Sequence, residues 1–254
     1  MRATNDPSCP TTPSDWRCWT RVRGCLRAPC VYRAGDDAGA AAGDAHVYEN
    51  YLVPSERWPA AKREFVDSLR TPLLDVGCGA GQHALAVQDR GEVVAFDVSP
   101  NAVRAARERG VEAAVVGDMF DPPVEASQAG SATGGFETVL ANGTQVGLAG
   151  SLDRLADLLA SFADLVSSSG EVVVDSYDPT RIDPVRFFGY RPDPREGIAR
   201  RSFRVEYGDL RGPTLDFVLV SPARLRAVAA EAALDVREVT VPNAESSYYR
   251  ARLA

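Results

Sequence analysis

Lysine is almost missing from this sequence: of 28 basic residues only Lys62 is a lysine, and histidine and methionine occur twice each. The Arg-for-Lys bias carries no chemistry of its own. Positive charge is short overall, and a net charge of −7 gives no broad attraction to nucleic acid. Long apolar runs are absent too. Nothing approaches the roughly 20 residues that span a bilayer, and residues 1–30 are broken by Pro, Arg and Asp and never build a signal-peptide core. The expectation is a soluble, cytoplasmic protein with no membrane partner. Close cysteine pairs are lacking as well. Cys9, Cys18, Cys25 and Cys30 are separated by eight, six and four residues, whereas structural zinc needs a short knuckle presenting two thiolates, so no metal is expected.

What remains, 254 residues of ordinary composition with 45% hydrophobic and 25% charged residues, is enough for one substantial domain with a core of its own. Residues 1–45 show neither a period of two nor one of 3.6 and end in a Gly/Ala/Asp-rich run, which predicts a poorly ordered, dispensable appendage. From His46 to Arg70 apolar residues fall at helical spacings, divided by Pro54 and Pro59 into a short and a longer helix. Short apolar runs then alternate with helical segments: strands at 72–76, 93–97, 111–116, 137–141 and 171–175, helices at 82–88, 100–109 and 152–166. Strands joined by helical crossovers make a parallel, doubly wound α/β sheet. Residues 178–220 loosen into a Pro/Arg-rich stretch and two strands, 201–207 and 215–220, a small β-hairpin insertion on the substrate side. A helix at 222–233 capped by Ser221 and strands at 235–241 and 247–253 close the domain, which is expected to span 46–254.

The strongest chemical signal is the run from Leu73 to Gly81. A buried strand enters a turn with glycines at 77, 79 and 81, and a helix follows at once, so the backbone can approach a ligand closely. The dinucleotide fingerprint wants its third glycine at position 82, where this chain has Gln82. Asp97 closes the next strand and can accept hydrogen bonds from a ribose diol, a feature that fits nicotinamide dinucleotides equally well. The third strand ends Val116-Gly117-Asp118-Met119. Asp121-Pro122-Pro123 looks like an amino-methyltransferase motif but follows the wrong strand and lacks the aromatic residue.

Together these runs resemble class I S-adenosylmethionine-dependent methyltransferases of the small-molecule type over about four-fifths of the chain. The resemblance implies a Rossmann-like seven-stranded sheet in the order 3-2-1-4-5-7-6 with strand 7 antiparallel. It implies S-adenosylmethionine as cofactor, held by Asp75, Gly77, Cys78, Gly79, Gly81, Asp97, Val98, Asp118, Met119 and Asn142, and a small-molecule N, O or C acceptor. It names no catalytic residue. Two other functions stay open: a nicotinamide-dependent oxidoreductase, opposed by Gln82 and Asp75, and a non-catalytic module that binds the cofactor. His83, beside the loop, is either a base or a packing residue. Tyr177 and Asp178 lie at a sheet edge where acceptors bind or form a plain turn, and Tyr48, Tyr51, Phe187, Phe188 and Tyr190 are pocket walls or ordinary packing.

Overall fold

The computed structural model describes residues 30–34, 51–129, 134–207 and 209–254. Eleven strands and five α-helices are named here in chain order: β1 Cys30–Arg33, α1 Ala60–Asp67, β2 Leu73–Val76, α2 Gln82–Val87, β3 Val93–Asp97, α3 Pro100–Glu108, β4 Ala114–Val116, β5 Phe136–Ala141, α4 Leu152–Ala163, β6 Val166–Tyr177, β7 Tyr190–Pro192, β8 Ile198–Tyr207, β9 Leu210–Val220, α5 Pro222–Glu231, β10 Val236–Thr240 and β11 Tyr248–Leu253. The main sheet runs β10-β11-β6-β5-β2-β3-β4. Renumbered within the sheet this is 3-2-1-4-5-7-6 read from β4. The pairs β2–β3, β2–β5, β3–β4 and β5–β6 are parallel, and β11 is antiparallel to both β6 and β10.

Burial on both faces explains the composition of the central strands. All four residues of β2 are buried, as a parallel strand between two helical layers requires. On one face α4 and α5 pack Leu155, Leu159, Phe162, Leu225 and Val228 against Val139, Val172 and Tyr249. On the other, Trp58, Val66, Ala84, Val87 and Val103 cover Leu73, Ala95, Leu140 and Val173.

Several boundaries move for local reasons. Residues 111–113 were expected to start a strand, but Gly110 (φ +105°) and Val111 end α3 instead. Val111 N donates to Ala106 O at 3.0 Å and Gly110 N to Arg107 O at 3.0 Å, a Schellman closure that holds Val111 on the helix. Strand β6 begins five residues earlier than expected, where its pairing with β5 shifts register. The Ser221 cap stands as read: its hydroxyl accepts from Arg224 N at 3.3 Å. Ser221→Ala is expected to lower stability by about 1 kcal/mol in urea unfolding, and an unchanged midpoint would remove the cap from the account.

The largest departure lies in the second sheet. The expected small hairpin is a four-stranded antiparallel layer in which β9 pairs along β8 and β7 and β1 share β8's other edge. Strand β8 alternates buried Ala199, Phe203 and Val205 with the more exposed Arg200, Ser202 and Arg204, the period of two that a half-buried sheet needs. Strand β1 corrects the reading of residues 1–45 in part: Cys30–Arg33 is paired with Arg204–Tyr207, and Tyr32 is buried against Phe203 with ring centroids 5.5 Å apart. Four residues carry too little periodicity to reveal a strand that pairs over a span of more than 170 residues. Tyr48 and the other cysteines before Cys30 lie outside the described residues.

Candidate active site

Doubly wound sheets leave ligand space at the carboxyl ends of their strands, here those of β2, β3, β5 and β6. The loop from Gly77 to Gly81 follows β2 at that edge. All three glycines have positive φ, at +66°, +56° and +72°, but they serve different ends. A Cβ on Gly77 would meet the Gln145 side chain at 2.6 Å, and one on Gly81 would meet Val111 Cγ2 at 2.4 Å. A Cβ on Gly79 meets nothing within 4 Å. Gly81 is thus required by the protein's own packing, Gly77 by its positive φ, since the end of the Gln145 side chain can move, and Gly79 borders open space.

Two carboxylates fix the loop. Asp97 Oδ2 accepts from Gly79 N at 2.9 Å and its Oδ1 accepts from Ser99 N at 2.8 Å. Asp75 is buried, and its Oδ2 accepts from Ala84 N at 3.2 Å in the first turn of α2. Burial first, and the neighbouring Asp97 charge second, push the Asp75 carboxyl up to about 7, against the pull of the Ala84 N–H. Between about pH 4 and pH 7 the unfolded chain therefore ionises this group while the folded chain keeps it protonated, so folding weakens as pH rises. Asp75→Asn is expected to raise the melting temperature of the ligand-free protein at pH 8 and to lose that advantage toward pH 5. An advantage independent of pH would contradict a raised carboxyl pKa.

The remaining residues expected to hold the cofactor follow the carboxyl ends of β2, β3, β4 and β5. Cys78 is buried and its N–H donates to Phe96 O at 2.9 Å, while Val98 is 70% exposed beyond β3. Asp118 is exposed and accepts from Phe120 N at 3.0 Å, and the Met119 side chain packs in the core against the α4–α5 face. Asn142 Oδ1 accepts from Arg250 Nε at 3.4 Å. The Pro-Pro run after Asp121 is packing: a Cβ on Gly117 would meet Pro123 Cγ at 2.3 Å.

His83 is no base. It is buried beside Trp58, and burial together with the Lys62 and Arg250 charges pulls it down to about 3. Lys62 donates to Gln82 Oε1 at 2.7 Å and lies 4.2 Å above the Trp58 ring; burial and Arg250 lower it to about 8. Asp178 is a turn cap, accepting from Thr180 N at 3.0 Å and Thr180 Oγ1 at 2.8 Å. Tyr177, by contrast, belongs to an aromatic cluster with Phe187 and Tyr248, at centroid distances of 4.9 and 5.5 Å.

One acid escaped the sequence reading. Asp175, near the end of β6, is buried, and its Oδ1 accepts from Gly143 N at 2.9 Å and Thr144 N at 2.7 Å, holding the loop after β5. Burial pushes its carboxyl up, against its backbone donors, Tyr248 and Arg250. The signal was an acid closing an apolar strand, as Asp75 does, but it was read only as a strand end.

The second sheet stands over this edge. Tyr249 Oη donates to Val220 O at 2.8 Å, and a Cβ on Gly147 would meet Val218 O at 2.8 Å, so β9 lies directly on the segment after β5. Ala80 of the glycine loop packs in one apolar cluster with Leu52, Ile182, Phe203, Phe217 and Leu219.

Residues 73–170 match the family model described as a methyltransferase domain. The seven-stranded sheet that holds those residues has the strand order of the class I methyltransferase fold. No curated protein matches the chain. Among solved structures it is similar to a SAM-dependent methyltransferase from Bacteroides fragilis in complex with S-adenosyl-L-homocysteine, at 23% identity and TM-score 0.73, covering 95% of this chain and 94% of that one. It is also similar to a sugar N-methyltransferase from Streptoalloteichus sp (20% identity, TM-score 0.56, 86% and 96% covered). A third is an amino pentose methyltransferase from Micromonospora echinaspora (21% identity, TM-score 0.51, 76% and 89% covered).

Proposed function

We propose that the domain transfers a methyl group from S-adenosylmethionine to the nitrogen of a small-molecule amine. The observation that carries the small acceptor is the second sheet laid over the carboxyl edge of the main sheet, whose apolar cluster takes in Tyr177, Phe187 and Phe203, with the Tyr177 ring also packed edge-on to Tyr248. The nitrogen acceptor is favoured by the sugar N-methyltransferase and the amino pentose methyltransferase among the structural relatives, and by the lack of a strong base among the described residues facing this edge. His83 is too weakly basic, and Asp175 is pinned by two backbone donors. An amine can do without a protein base: its ammonium form loses a proton to water first, the neutral nitrogen then attacks the methyl as the C–S bond breaks, and the methylated product leaves as an ammonium.

The residues fit the donor. Gly79 borders open space, and the Asp97 carboxylate beside it is acceptor-only, the chemistry that suits a ribose diol. Asp75, Gly77, Cys78 and Gly81 would shape the loop around the methionine portion, and Val98, Asp118, the Met119 backbone and Asn142 would hold the rest of the donor. When bound, the donor supplies an electrophilic methyl on a sulfonium. The protein's part is then to align the amine and exclude water, which is worth about 7–11 kcal/mol in favourable cases. Asp97→Ala is expected to weaken S-adenosylhomocysteine binding about 10- to 100-fold in calorimetry, the loss of a charge-assisted hydrogen bond, with a smaller loss of folding stability from the Gly79 and Ser99 N–H groups it leaves unpaired. Unaltered affinity would remove Asp97 from the ribose site. Turnover of methyl-labelled S-adenosylmethionine with a set of small primary and secondary amines tests the reading directly. Labelling of oligonucleotide or polypeptide in place of the amines would overturn the acceptor class.

A further inference from the structure

Arg201 of β8 is a half-buried cation for whose charge its described surroundings do not account. Its guanidinium lies 4.8 Å from the Phe203 ring, 5.2 Å from Phe187 and 6.0 Å from Tyr177. Its Nε donates to Phe188 O at 3.1 Å. Among the described residues no carboxylate pairs with it. Arg33, Arg70, Arg195, Arg204 and Arg252 differ, since each is bonded to an Asp or Glu. The charged groups that act on Arg201 are the phenols of Tyr177, Tyr51 and Tyr32, and burial makes the Tyr177 phenol harder to ionise, so it supplies no counter-charge near neutral pH.

Aromatic faces compensate part of a desolvated guanidinium, but they leave its hydrogen-bonding edge unused. Nε is occupied, and the two Nη groups have no hydrogen-bond partner among the described residues. That pair forms a planar fork matched to two oxygens of one anion. Its location decides which molecule would carry the anion. Tyr177 ends β6 and Tyr51 lies beside the loop, where Arg109 bonds both Tyr51 O at 3.3 Å and Ala80 O at 2.6 Å. The fork thus stands in the layer over the carboxyl edge of the main sheet, among rings of the cluster that also holds Ala80 of the loop.

We propose that Arg201, set among Tyr177, Phe187 and Phe203, binds an oxyanion, a carboxylate or a phosphate, carried by the methyl acceptor. The proposal rests on the methyltransferase reading above and specifies its substrate as an anionic amine. The same fork takes either anion, and the two are separated by experiment.

The test uses the full chain saturated with S-adenosylhomocysteine, titrated with inorganic phosphate or with acetate at constant ionic strength against a chloride control, and read by thermal shift. Wild type is expected to show a saturable rise with at least one of the two anions. Arg201→Met should abolish it, and Arg201→Lys, which keeps the charge and loses the fork, should weaken it at least about tenfold. Both variants should bind S-adenosylhomocysteine with wild-type affinity, which a merely structural arginine would not guarantee. A phosphate-only response assigns a phosphorylated acceptor, and an acetate-only response a carboxylate one. Equal shifts in wild type and Arg201→Met, or no wild-type shift beyond chloride, would overturn the proposal. Failure of wild type to bind S-adenosylhomocysteine would instead refute the underlying function, so the two are told apart on the same samples.

Discussion

Gly79→Val is expected to abolish detectable binding of S-adenosylhomocysteine while the far-ultraviolet circular dichroism stays that of the wild type. The reason is the contrast within the loop: the space beyond Gly79 is open in the ligand-free protein, so a side chain there meets no protein atom but occupies the place proposed for the donor. Its positive φ of +56° adds a strain of about 1–2 kcal/mol, which a chain of this size tolerates. Gly81→Ala should behave in the opposite way. Its Cβ would press on Val111 Cγ2 at 2.4 Å and on Ala106 Cβ at 3.1 Å, so the first effect is on folding. A Gly79→Val protein that still binds the ligand would show that the loop does not approach it.

The second large effect is expected far from the loop. Tyr32→Ala should cost about 3 kcal/mol in denaturant unfolding, in the range for removing a buried aromatic side chain. Tyr32 is 6% exposed and packs on Phe203, and its strand closes the free edge of β8 beside β7. An edge left unpaired exposes a row of backbone donors and acceptors. If residues 1–45 were wholly an appendage, the substitution would be silent. A change under about 0.5 kcal/mol, the usual scale at surface sites, would restore that reading.

The difference between these two sites shows what the sequence can reveal. The loop from Leu73 to Gly81, the acid at 97 and the alternation of strands and helices are local patterns, and the strand order they imply is the order observed. Contacts between distant segments left no such trace. Strand β1 pairs with β8 across most of the chain, and Arg201 acquires its aromatic surroundings from β6, β8 and the segment before β7. Asp175 lay between: its residue type and position were visible, yet its role in holding Gly143 and Thr144 needs the β5–β6 pairing. The hairpin insertion was legible as two strands but not as a sheet, because β7 has only three residues and finds its partner in β8.

The central claim is that the edge formed by Gly79 and Asp97 is the donor site. Calorimetric titration of the wild-type chain with S-adenosylhomocysteine, and in parallel with NADH, tests it most directly. The account predicts saturable binding of one S-adenosylhomocysteine per chain and no heat of binding from NADH. Binding of NADH without binding of S-adenosylhomocysteine would contradict it.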